Sequence, residues 1–139
     1  MKFEVNFKRF FLVFILLAFI LVPLQFFFHK AYMYSYYVRL PEWFMAGDNI
    51  QIRFLILAAL VQAFLFLTLY TQSSSHFPGL KGGMIFGIGI ALLMFLPLSL
   101  YQMAVVEVND LRPILGQWLN LGFISNLILG AVCGTFYKS

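Results

Sequence analysis

The chain has 139 residues, 63% of them hydrophobic and only 10% charged, with nine Lys and Arg against five Asp and Glu and a formal charge of +4. An average soluble domain is about 25% charged, and a soluble fold this poor in charge would expose apolar patches large enough to aggregate. The basic balance does not indicate nucleic acid: Lys and Arg are scattered singly, with only Lys8 and Arg9 adjacent, whereas phosphate tracking needs a clustered basic face.

Four apolar stretches, at 10–28, 54–70, 82–106 and 114–136, fill most of the sequence, and the charges lie almost only between them. A hydrocarbon core about 30 Å thick needs about 20 apolar residues in a helix. The pattern predicts an all-α polytopic membrane protein. It is a single domain over 1–139, with four transmembrane helices at about 10–28, 49–71, 80–104 and 113–137.

The first span follows Lys8-Arg9 and is nearly all Phe, Leu, Ile and Val, with Pro23 inside it and Ala18 its only small residue. It is longer than a signal-peptide core and lacks a small-residue cleavage site, so it reads as an uncleaved helix. Close packing between membrane helices needs small residues, so a span this bulky is expected to face lipid or pack loosely. The connection at 30–49 carries Tyr32, Tyr34, Tyr36, Tyr37 and Trp43. Tyr and Trp concentrate at headgroup level, which predicts a segment lying along the membrane surface. Gly47-Asp48-Asn49 then reads as a turn and helix N-cap.

The second span holds Gln62 near its centre and Ala59 and Ala63 four residues apart. A polar turn at 71–76, closed by Pro78-Gly79, leads into the third span. There Gly79, Gly83, Gly87 and Ala91 recur every four residues, and Pro97 follows. The fourth span opens near Pro113, a favourable first-turn residue, and carries Gly122, Asn126, Gly130 and Gly134 at the same interval. Gly83/Gly87 and Gly130/Gly134 are both GxxxG pairs. Two such ladders on antiparallel neighbours predict a tight hairpin between the third and fourth spans, with Gly83, Gly87, Ala91, Gly122, Asn126, Gly130 and Gly134 as the packing residues.

Gln62 and Asn126 are the amides nearest mid-membrane. Counted from the same face at 1.5 Å per residue, they lie roughly 18 Å and 21 Å deep. An amide in hydrocarbon seeks a partner, so both are expected to be buried in the bundle and bonded to another helix, each being a candidate partner for the other.

Cofactor chemistry finds little purchase. His29 follows the first span and His76 the second, so they should lie about a bilayer thickness apart, roughly 30 Å, too far to ligate one haem within one chain. There is no His-x-x-x-His, only one cysteine (Cys133) and no carboxylate inside a span. Catalytic, cofactor and metal residues are therefore all expected to be absent. Near Pro97, Ser99 and Gln102 together with Gln25, Gln117 and Asn120 could form a polar pocket, and 18 Phe and 7 Tyr could wall a lipid or quinone there.

The run Gly79-Leu80-Lys81-Gly82-Gly83-Met84-Ile85-Phe86-Gly87 and the tail from Trp118 through Gly122 and Gly130 to Tyr137 resemble small bacterial four-helix inner-membrane proteins of unassigned function. The resemblance covers about the second half of the chain. It implies the fold and a bacterial inner membrane, and it carries no functional residues.

The residues lead to a non-enzymatic membrane subunit or scaffold that binds partner membrane proteins, or itself, through small-residue helix faces within the lipid bilayer. Two alternatives stay open: a small oligomeric transporter or channel, and a quinone- or haem-associated anchor of a respiratory complex. An even number of spans puts both termini on one side. The positive-inside rule selects the cytoplasm for them, because Lys2, Lys8, Arg9, Lys81 and Lys138 then lie inside.

Overall fold

The computed structural model describes residues 6–40, 51–105 and 111–137. Its elements are α1 (Phe7–Phe27), a π-helical turn (Phe28–Tyr32), α2 (Tyr34–Tyr37), α3 (Ile52–Ser73), α4 (Gly79–Val105) and α5 (Leu111–Phe136). Among the described residues four helices are long and apolar enough to cross a membrane: α1 continued through the π turn, α3, α4 and α5. The protein is an all-α four-helix bundle, and these helices make it an integral membrane protein.

The helix ends follow local chemistry. Asn6 caps α1, its side-chain oxygen accepting the Arg9 backbone N–H at 3.1 Å. Lys8 and Arg9 therefore lie inside the first turn rather than before it. Pro23 and Pro97 sit within α1 and α4 without ending them; each leaves a carbonyl one turn earlier without its helix donor. α3 begins at Ile52, and Gln51 makes no side-chain cap; the Gly47-Asp48-Asn49 cap expected from the sequence lies outside the described residues. At the turn before α4, Gly79 takes φ +69°, which glycine tolerates at no steric cost. A side chain on Gly82 would strike the Phe77 backbone. Tyr70 closes this turn from α3, its hydroxyl donating to the Phe77 carbonyl at 2.7 Å.

Of the connection expected to lie along the membrane surface, 30–40 is described and packs one side inward; Trp43 and the rest lie outside the described residues. The chain stays helical through the π turn and α2, and Met33, Tyr37 and Leu40 are buried against Leu111 and Ile114 of α5. The reason is their spacing: positions i, i+4 and i+7 form one apolar stripe on a helical path. Tyr32 and Tyr34 remain exposed, as an interfacial belt would place them.

The glycine ladders lie between α4 and α5. A Cβ on Gly83 would collide with the Gly130 carbonyl, one on Gly87 with the Asn126 carbonyl, and one on Gly134 with the Gly79 carbonyl. The two backbones are thus in direct contact. Ala91 is fully buried, and Gly122 admits the Phe95 ring, which would lie 2.6 Å from an added Cβ. Without a hydrophobic force between helices in lipid, such van der Waals contact is what holds them.

The other pair is α1 and α3. Val13, Leu17 and Leu21, one stripe of α1, join Ala59, Ala63, Phe66, Leu67 and Tyr70 of α3 in the main core. α5 packs mainly on α4 and more lightly on α1 and α3, and contributes Leu129 and Cys133, with Tyr137 just beyond its end. Phe86 carries α4 into the same core, edge-on to Phe66 and Tyr70 with ring centroids 5.4 and 5.3 Å away. Burial raises the Tyr137 phenol pKa and the Arg9 charge opposes this, so the start of α1 and the end of α5 share one end of the bundle.

The glycine contacts yield a graded expectation. Gly87→Leu and Gly130→Leu should each destabilise the protein by about 1–3 kcal/mol, the cost of overpacking a closed site. Gly89 and Gly116 have no neighbouring atom within 4 Å of an added Cβ, so the same change there should be near neutral. Melting of the four variants in mild detergent checks this, and equal losses at all four positions would contradict the backbone contact.

Candidate functional site

Two apolar clusters divide the bundle, and the candidate site lies where they meet. One is the main core of α1, α3, α4 and α5; the other joins the α2 region to the start of α5. Between them runs a polar layer across three helices. Gln25 of α1 donates from Nε2 to Gln62 Oε1 at 3.4 Å, and Gln62 of α3 donates from Nε2 to Ser125 Oγ of α5 at 3.2 Å. The Ser125 hydroxyl then donates to the Gly122 carbonyl at 3.2 Å. Gln62 and Ser125 thus each accept from one neighbour and donate to the next, as polar groups in a low-dielectric interior require.

Gln62 is half-buried and bonded to two other helices. Asn126 behaves differently from the expectation that it would bond across helices. It is 1% exposed, and its amide donates to the Gly122 carbonyl of its own helix at 2.7 Å. The partner of Gln62 is the adjacent residue, Ser125. Successive residues on a helix are separated by about 100°, so Ser125 points at α3 while the Asn126 backbone lies against Gly87 of α4. Asn126 thus faces the interior as expected, but its side chain bonds within its own helix.

The second layer is aromatic. The Trp118 indole donates from Nε1 to the Tyr37 hydroxyl oxygen at 3.0 Å, and that hydroxyl lies 2.6 Å from His29 Nδ1. The His29 ring stacks on Tyr37 at an interplanar angle of 13° and meets Trp118 and Phe28 edge-on. Trp118, Gly122 and Ser125 are four and three residues apart, so α5 presents both layers on one face. α1 does the same with Gln25 and His29.

The polar pocket expected near Pro97 does not assemble from Gln25, Gln117 and Asn120. Gln25 turns to α3, while Gln117 accepts from Tyr32 and Asn120 at 3.1 and 3.4 Å in an exposed group. His76 is exposed and contacts Ser75, at the opposite end of the α1–α3 pair from His29. Among the described residues no group of three His, Cys, Asp or Glu comes together. The small-residue faces expected to serve partners are occupied within the chain: Gly83, Gly87, Gly130 and Gly134 face one another.

Ser125 and the His29–Tyr37–Trp118 cluster were not singled out from the sequence. Met33, Tyr37 and Leu40, at helical intervals, carried the signal for the second. The first had none, because which side of α5 meets α3 depends on where α4 docks.

Burial pushes the Tyr37 phenol up to about 12, with the Trp118 hydrogen bond opposing. The folded pKa is above the ordinary value of 10.0, so the neutral phenol stabilises the fold fully below pH 10 and this contribution fades as pH rises through 12. In a Trp43→Phe background, Trp118 emission should fall with a midpoint near pH 12, and Tyr37→Phe should abolish that step. A midpoint near 10 would mean a solvated hydroxyl. For the polar layer, a double-mutant cycle of Gln62→Leu with Ser125→Ala should show coupling of about 0.6 kcal/mol. The cycle of Gln62→Leu with Asn126→Leu should be additive.

Comparison with protein families, with curated proteins and with solved structures finds no match to this chain.

Proposed function

We propose that this protein is a non-enzymatic membrane subunit or scaffold of a bacterial inner membrane, with both termini cytoplasmic. The observation that carries the reading is the exposed face of α1. Only Val13, Leu17 and Leu21 of that helix are buried, and Phe7, Phe11, Leu12, Ile15, Phe19 and Phe27 stand outward. Phe19 is 77% exposed. Lipid chains pack against any apolar side chain, but a row of aromatic rings offers large contact area to a protein partner, and aromatic residues are enriched at such interfaces. With the glycine faces engaged inside the chain, the partner contact falls to the outward faces, of which that of α1 carries the most aromatic rings. The orientation rests on Lys2, Lys8, Arg9, Lys81 and Lys138.

A small homo-oligomeric transporter is the second reading, favoured by the Gln25–Gln62–Ser125 layer crossing the apolar interior.

Photo-crosslinking residues at Phe11 and Phe19 on α1, and at Leu93 and Leu98 on α4, separate these in intact membranes. The subunit reading expects capture of a different protein from the α1 positions. Capture of a second copy of this chain supports the oligomer, and crosslinks to lipid alone from all four positions overturn both. Reporter fusions at Ser74 and Ser139 should both report cytoplasm; a periplasmic signal at either would overturn the orientation.

A further inference from the structure

The Trp118–Tyr37–His29 chain is directional, and its open end identifies a ligand chemistry. Indole N–H can only donate, so Trp118 gives its proton to the Tyr37 oxygen. The Tyr37 hydroxyl accepts from Trp118 and lies 2.6 Å from His29 Nδ1, so its own proton is available to that nitrogen. In this arrangement Tyr37 donates and His29 Nδ1 accepts. A neutral imidazole that accepts at Nδ1 carries its proton on Nε2. Among the described residues that N–H has no acceptor.

One helical turn below, Gln25 is also incompletely matched. It uses one N–H on Gln62 and makes no other hydrogen bond, which leaves its carbonyl oxygen and second N–H. Gln25 and His29 are half-buried, lie within the first span and rise about 6 Å apart along α1. Among the described residues no fully buried side-chain N or O lacks a partner, so these unmatched groups reach the surface of the bundle, open to a molecule in the bilayer. Aromatic rings stand beside them: Phe28 lies 5.3 Å and Trp118 6.4 Å from the His29 ring.

We propose that His29 and Gln25, walled by Phe28 and Trp118, bind the carbonyl head group of a membrane-dissolved quinone. His29 Nε2–H donates to one carbonyl oxygen, and the free Gln25 amide N–H holds the head group from below. Both donors are neutral, which suits a neutral carbonyl rather than a phosphate. Flat aromatic walls suit a planar ring, which stacks or meets them edge-on. The ester carbonyl of a phospholipid has the same acceptor chemistry but no ring, and the test separates the two. The inference goes beyond the subunit reading and does not depend on it.

The test uses the full chain with Trp43→Phe, in nanodiscs of ester-linked phosphatidylcholine, titrated with a decyl-benzoquinone while Trp118 emission is followed. Saturable quenching is expected. Losing one hydrogen bond should weaken it about tenfold in His29→Phe, and Gln25→Leu should weaken it as well. His29→Gln, which restores an N–H donor, should recover much of the affinity. Circular dichroism of each variant establishes that it is folded. Quenching that rises linearly with quinone in the bilayer overturns the proposal. So does quenching unchanged in a folded His29→Phe or, where that variant does not fold, in Gln25→Leu. A Trp118 response to replacing ester-linked by ether-linked lipid, without saturable quenching by quinone, assigns the site to lipid and overturns it too.

Discussion

The approach of α4 to α5 is the constraint from which the rest of the bundle follows. Gly83, Gly87, Gly130 and Gly134 bring two backbones together where any Cβ would collide with a carbonyl. Lipid tails are as apolar as Leu, so helices in a bilayer are held by close van der Waals contact rather than by expulsion from water. A hairpin of this kind is a rigid unit. Once α4 covers the glycine side of α5, the adjacent side, about 100° round the helix, meets the first two spans. That side carries Trp118, Ser125, Leu129 and Cys133, and it meets α1 and α3. α5 is accordingly the most buried span, with 44% of its apolar window buried against 17% for the first.

The hub position of α5 also explains why the polar groups form layers. Gln62 cannot face lipid without leaving its amide unmatched, and the nearest hydroxyl on the exposed side of the hairpin is Ser125. Gln25 joins because α1 packs on α3. The layer is a chain of donors that ends on the Gly122 carbonyl. Above it the α2 region replaces α3 as the cover of α5, and Tyr37 links His29 to Trp118. A π turn marks this change of partner. Such turns displace the helix register by one residue and are frequent at functional sites.

The partner surface moves accordingly. Small-residue ladders invite contact with any neighbouring helix, and here they have one within the chain. Among the faces turned outward is the aromatic side of α1, whose bulk bars close backbone contact and favours broad side-chain contact. The proposed scaffold role and the proposed quinone site occupy different faces of α1: Phe11 and Phe19 point away from the bundle, while Gln25 and His29 point into it.

Composition and span length by themselves determined the class of this protein, because backbone groups in hydrocarbon must bond within a helix or a closed barrel, and four apolar runs of helical length leave one solution. The four-residue spacing of Gly and Ala also made the α4–α5 ladders legible, and counting residues placed Gln62 and Asn126 at one depth. Three things waited on the tertiary structure. Ser125 rather than Asn126 meets Gln62, because the choice between two adjacent residues is a rotation of about 100°, set by where α4 docks. Tyr37 turns inward while Tyr32 and Tyr34 stay out, because the chain after α1 remains helical instead of lying flat. His29, read alone as an interfacial histidine, acquires its role from Tyr37 and Trp118, the latter 81 residues away from Tyr37 in the chain. Periodicity reports which face of a helix is small or apolar; only packing decides which neighbour that face meets.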